Sequence, residues 1–185
     1  SKYFVNKIPY AFEYTDIQAR IGYSHTAYPV LTTDLTLLVR AEANAMLGKY
    51  AEAVQDLNTE VKAFSGGNLS VTLTGIQDFY QGINYYTPTE PTPKKKFHTA
   101  FNIESTTQEP ILQAILQLRR IMTVGEGWRL QDVKRYGIVM YRRTLNDSRK
   151  VIAVTDTMKE DDPRRAIQLP QDVITAGLPA NPRNK

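Results

Sequence analysis

The sequence predicts a mainly α fold with a small β element, and three observations predict it. Apolar residues recur at helical spacing in two long stretches, LLVRAEANAMLGKYAEAVQDLNTEVKAF and ILQAILQLRRIM. Capping and breaking residues stand at the ends of those stretches. Only IVMYRR and KVIAVT, joined by TLNDSR, read as paired β segments.

The first helix takes Thr33 or Asp34 as its cap, where a side-chain oxygen accepts a free backbone N–H. Leu35, Leu38, Val39, Ala41, Ala45 and Met46 form its buried face. Gly48 suits the left-handed residue that closes a helix, and Tyr50 opens the next one. There Ala53, Val54, Leu57, Val61 and Phe64 share a face, and the alanines at 41, 45 and 53 let the two helices approach closely. The pair resembles a tetratricopeptide-type hairpin, of which the sequence holds one clear copy. SGGNLS breaks the second helix, a short helix follows within Leu73–Tyr86, and TPTEPTPKKK is a proline-rich surface loop. A strong helix runs from about Glu109 to Met122, with Pro110 in its first turn. Ile111, Leu112, Ile115, Leu118, Ile121 and Met122 form its inner side. WRLQDVKRYG continues as a short helix before the β segments, and the end of the chain is extended apart from one turn near Gln171.

The chain has 185 residues, 42% hydrophobic and 23% charged, which provides for a core and excludes a disordered chain. No apolar run approaches the ~20 residues that cross a bilayer. The opening SKYFVNKIPYAFEY is no signal peptide and reads like the interior of a longer protein. Without cysteine, disulfides, thiolate metal sites and a cysteine nucleophile are excluded together. The net charge of +4 is uneven: Arg119 to Lys150 holds nine Lys or Arg against three Asp or Glu. Such a stripe suits either an anionic partner or an ion-paired helical face, and the second is the reading adopted.

Signatures of catalysis are missing. The two histidines, His25 and His98, lack metal-ligand spacing, and neither a GxSxG elbow nor a phosphate-binding GxxxxGK[ST] loop occurs. The acidic run DTMKEDD lacks calcium-loop spacing and is followed at once by Arg164 and Arg165. VKRYGIVMYRR interleaves rings with cations as single-strand binders do, but without an RNP, zinc-finger or helix-turn-helix signature no nucleic-acid partner is expected. No metal and no cofactor is expected either.

The order of the pieces carries more information than any one of them. The hairpin is followed by a helix ending in RR-x5-EG-W-R-x2-D-x2-R-x-G, then an isolated DPR, then a closing QLPQDVITAG-LPANPR. This order resembles the C-terminal part of the SusD/RagB family of nutrient-binding outer-membrane lipoproteins. The resemblance implies residues 1–64 as the end of an N-terminal, tetratricopeptide-like helical region and 65–185 as a helical C-terminal subdomain. It implies a non-enzymatic protein that holds an oligosaccharide or other nutrient beside a SusC-like TonB-dependent transporter. It also implies an outer-membrane, cell-surface location, through a lipid anchor outside this sequence, for a chain itself soluble. The runner-up is a helical-repeat module that binds another protein and no small molecule.

Two groups of residues then divide the roles. Arg119, Arg120, Glu126, Arg129, Asp132 and Arg135 alternate in sign around a helical corner, with Arg129 and Asp132 on one face. Trp128 offers an indole to anchor that corner against the Ile111–Met122 helix. These are read as scaffold. Ligand binding is expected at FYQGINYYTPTEP, where Phe79, Tyr80, Asn84, Tyr85 and Tyr86 supply rings and hydrogen bonds beside Gln77, Asp78 and Gln81. The competing reading of that stretch is a short helix whose rings enter the core.

Overall fold

The computed structural model of the protein describes residues 10–26 and 29–183; the aromatic-rich opening at residues 1–9 lies outside them. The described residues are mainly helical, with two small antiparallel sheets of two strands each. Strands β1 (Tyr10–Asp16) and β2 (Ile21–Thr26) pair first, then come helices α1 (Thr33–Met46), α2 (Tyr50–Phe64) and α3 (Leu73–Gly82). After a long loop follow α4 (Gln108–Met122), α5 (Arg129–Arg135), strands β3 (Met140–Leu145) and β4 (Val151–Met158), and α6 (Gln171–Thr175). The first sheet corrects the expectation of a single β element.

The start of α1 is capped one residue earlier than expected, by Thr32, whose hydroxyl accepts the Leu35 N–H. Gly48 takes φ +74° just after α1 and turns the chain into α2. Leu38, Ala41 and Ala45 of α1 meet Ala53 and Leu57 of α2, all essentially without solvent contact. Small side chains at this contact leave room for Arg40 and Asn44 to bond Asp56 across the pair. Ile111, Leu112, Ile115 and Leu116 of α4 complete the core with Ile76 and Tyr80 of α3 and Val133, Tyr136 and Ile138 beyond α4. Three residues assigned to buried faces stand outside: Val39, Phe64 and Ile121 are exposed. Each sits at the margin of its helix's apolar stripe, where periodicity alone does not decide burial.

α4 also organises the loop before it. Glu104 accepts the N–H groups of Thr106, Thr107 and Gln108, which otherwise lack partners at a helix start, and these bonds hold its carboxyl down at about 2. The buried Gln113 bonds both backbone groups of Lys95, pinning the 84–98 loop against the helix. After α5, Gly137 takes φ +58° and passes so close to His98 that an added Cβ would lie 2.1 Å from the His98 carbonyl oxygen. Gly137→Ala is expected to cost about 2 kcal/mol, from left-handed strain and overpacking together. The check is a melting temperature several degrees lower than that of the parent protein.

Candidate ligand cleft and charged corner

The corner between α4 and α5 is built on glycine turns. Gly125 and Gly127 take φ +85° and +82°, so their spacing serves chain reversal. Arg119 lies buried behind this turn, with one Nη 2.6 Å from Asp132 Oδ1 and the other 2.6 Å from Glu42 Oε2. The same Glu42 accepts Arg135 Nε at 2.9 Å and the Tyr136 hydroxyl at 2.6 Å. Arg129 approaches Asp132 at 3.9 Å, at the edge of ion-pair range. One carboxylate from α1 thus joins side chains from α4 and α5 to the residue that follows α5.

Burial pushes the Glu42 carboxyl up, but the Tyr136 hydrogen bond and the Arg119 and Arg135 charges outweigh it and hold the group low. Burial and the Glu42 carboxylate beside it push the Tyr136 hydroxyl well above the ordinary tyrosine range. At neutral pH the corner therefore holds a charged Glu42 and a neutral, donating Tyr136.

The sequence-selected corner residues divide. Arg129, Asp132 and Arg135 join the network, and Glu126 lies half-buried in the turn, its N–H donating to Thr123 O. Arg120 is exposed, and its neighbour Arg119 takes the inner position. Trp128 does not join the apolar core with the Ile111–Met122 helix. It lies half-buried and lines a cleft of about 310 Å³ with Leu31, Leu35 and Val39. The corner turns its indole toward α1 and away from the apolar side of α4. Arg165, the residue after the DPR motif, is a further structural residue: it donates to the carbonyls of Val133, Ile138 and Lys159 and ties the tail to α5.

The rings around α3 divide as well. Tyr80 belongs to the core, and burial pushes its hydroxyl to about 12, so it is withdrawn from any exposed platform. The physical reason is spacing: Leu73, Ile76 and Tyr80 fall at i, i+3 and i+7 on the inner face of α3. Phe79 is half-exposed and lines a separate apolar cleft of about 480 Å³ between α2, α3 and α4. Gln77 and Gln81, expected to meet a ligand, hold the Thr106 carbonyl. Asn84 is exposed, and its carbonyl accepts the Thr92 hydroxyl.

Tyr85 and Tyr86 reach a third cleft of about 380 Å³, shared with Lys95, Lys96, His98 and Tyr141. Tyr86 and Tyr141 stack with centroids 5.4 Å apart and planes 29° from parallel. Lys95 Nζ lies 3.5 Å and the Arg143 guanidinium 4.3 Å from the Tyr86 centroid. Arg143 fixes the loop by donating to Tyr86 Oη, Thr87 O and Pro88 O. Tyr85 donates to Glu109 at 2.8 Å, and burial together with that carboxylate raises its hydroxyl to about 12. Burial, reinforced by the charges of Arg120, Arg129 and Arg143, brings the Lys95 amine down to about 7. Lys95 and Tyr141 escaped the sequence reading because Gln113, which draws Lys95 inward, is 18 residues away, and Tyr141 meets Tyr86 across an even longer stretch of chain.

The molecule is thus a mainly helical protein whose ring-lined cationic cleft lies between the 84–98 loop and the start of β3. The sequence model of the SusD family matches residues 1–175, and this chain belongs to that family. Neither the curated proteins nor the solved structures contain a match to it. The family in general comprises nutrient- and glycan-binding components of the outer membrane, binding proteins and not enzymes, that pair with SusC-like transporters. Among the described residues no helix is long and apolar enough to cross a membrane.

Proposed function

We propose that this chain carries part of the nutrient-holding surface of a non-catalytic, lipid-anchored protein at the cell surface. The ligand is an oligosaccharide, held for delivery to a SusC-like TonB-dependent transporter. Residues 1–64 supply a tetratricopeptide-like hairpin, and residues 65–185 supply the C-terminal subdomain. Of the ring-bearing stretch, Tyr85, Tyr86 and Asn84 meet the sugar, joined by Tyr141. The observation that carries this reading is the cleft itself, in which two tyrosine rings are fixed in place and flanked by hydrogen-bond donors. A sugar's C–H face packs on such a ring, while its hydroxyls need donors and acceptors that a purely apolar cleft lacks.

The glycine turns and the Glu42–Arg119–Asp132 network serve as scaffold, holding α4 at the angle that lets Gln113 grip the Lys95 backbone. The alternative, a helical-repeat module for another protein, draws support from the apolar cleft around Val61, Ile76, Phe79 and Leu118.

Titration with a panel of oligosaccharides separates the two. On the nutrient-binding reading one class binds, and Tyr86→Ala weakens it by about tenfold, equivalent to ~1.4 kcal/mol. An unchanged affinity in Tyr86→Ala removes this cleft as the sugar site, and an absence of sugar binding favours the protein-partner module.

A further inference from the structure

We infer that the Tyr86 cleft selects a sugar bearing an anionic group, a carboxylate or a sulfate, over its neutral counterpart. This rests on the proposal that the cleft is a saccharide site. It adds a class of ligand that the rings alone do not specify.

The first support is uncompensated charge. Lys95 is only 8% exposed, yet the acceptor of its amine is neutral, the Thr92 carbonyl oxygen. The acceptors of Arg143 are neutral as well. Among the described residues, Lys95, Lys96, Arg120 and Arg143 form no ion pair with a carboxylate. Arg129 shares Asp132 with the buried Arg119. Acids stand outside the cleft's lining: Glu109 accepts the Tyr85 hydroxyl, and Glu90 exchanges hydrogen bonds with Thr87 through its backbone. A buried cation among cations is unfavourable without an anion to offset it. The corner meets the same problem with Glu42 and Asp132; among the described residues that line this cleft there is no such acid.

The second support is geometry. Lys95 lies over the face of Tyr86, which in turn stacks on Tyr141, so the cation and the rings line the same cleft. A pyranose resting against the rings would bring a ring substituent within reach of the Lys95 amine, with Lys96 and His98 also lining the cleft. The volume of about 380 Å³ falls at the lower end of small-molecule sites, suited to one or two sugar units. Cations focused in a cleft also raise the local concentration of an anionic ligand.

The test is a calorimetric titration of the protein with two sets of tetrasaccharides. The acidic set comes from polygalacturonate, alginate and chondroitin sulfate; the neutral set comes from galactan, mannan and xylan. Inorganic sulfate is titrated separately. The expected result is that at least one acidic tetrasaccharide binds ten-fold or more tighter than every neutral one. K95M and K96Q are each expected to cut that preference at least three-fold. K96Q changes an exposed side chain that lines the cleft, so the preference can be read in a folded protein even if K95M alters the loop. Equal or tighter binding of a neutral tetrasaccharide overturns the selectivity and leaves the saccharide site standing. Binding of no tetrasaccharide overturns both. Inorganic sulfate that saturates the cleft as tightly as the acidic sugar overturns the inference in favour of a free-anion site.

Discussion

Arg119→Met is expected to destabilise the protein by about 3–5 kcal/mol, a large fraction of the stability of a domain of this size. Arg119 is 6% exposed, and its guanidinium bridges Glu42 on α1 to Asp132 on α5, with both bonds at 2.6 Å. Removing it leaves two carboxylates buried together with less positive charge between them. Glu42 retains Arg135 and Tyr136, so Asp132 suffers more, with only Arg129 at 3.9 Å. The loss comes mainly from stranding those acids, since a buried pair removed whole is often neutral. A double replacement that also converts Asp132 to Asn should therefore recover part of the loss. Arg120→Gln, one residue along and exposed, is expected to stay within about 0.5 kcal/mol of the parent. Urea unfolding of the four proteins at pH 7 checks the set. If Arg119→Met unfolds at the parent midpoint, the buried network does not hold this corner.

The corner also carries a pH signature. The Glu42 carboxyl is depressed in the folded state, so its stabilisation is complete above the unfolded value near 4.3 and lost as pH falls through the folded one. Arg119→Met should therefore shrink the gap between stability at pH 6 and at pH 3.

That network shows what the sequence displays and what it hides. Arg129, Asp132 and Arg135 were legible because they lie within one short helix, where spacing translates directly into shared faces. Glu42 was not. It stands inside LLVRAEANAM, 77 residues before Arg119, and a lone acid on an amphipathic helix reads as a solvent-facing residue. The long helices were legible for the same local reason: α1, α2 and α4 repeat apolar residues over several turns and end at caps. The first strand pair was missed because its turn has no Asn-Gly or Asp-Gly signal; Arg20, at φ +56°, takes the left-handed position instead. Tyr80 could have been separated from Tyr85 and Tyr86 by counting from Leu73. Which tyrosine meets Tyr141 could not, since that contact crosses from the 84–98 loop to β3. Lys95 is the hardest case. KKK reads as a solvated run, and Gln113, a buried polar residue of α4, pulls its middle member inside.

Lys95→Met is expected to stabilise the unliganded protein, and more at pH 7 than at pH 10. The folded amine titrates near 7, because burial disfavours its charge and Arg120, Arg129 and Arg143 add repulsion. In the unfolded chain it titrates near 10.4. Below that value the unfolded state binds a proton that the folded state refuses, so the penalty grows as pH falls from about 10.4 to about 7. Below 7 both states are protonated and the penalty levels off. A displacement of this size sets a ceiling on the order of 4–5 kcal/mol. Loss of the Thr92 hydrogen bond and of the contact with the Tyr86 ring offsets part of it, leaving about 2–3 kcal/mol at pH 7. Methionine keeps the length and fills the same space without charge. The measurement is the difference in urea midpoint between Lys95→Met and the parent across pH 6–10. A difference that is flat with pH would mean that the amine keeps its ordinary affinity for protons inside the fold. A stabilisation that disappears toward pH 10, alongside weaker binding of acidic sugars, would mean that the lysine trades stability for recognition.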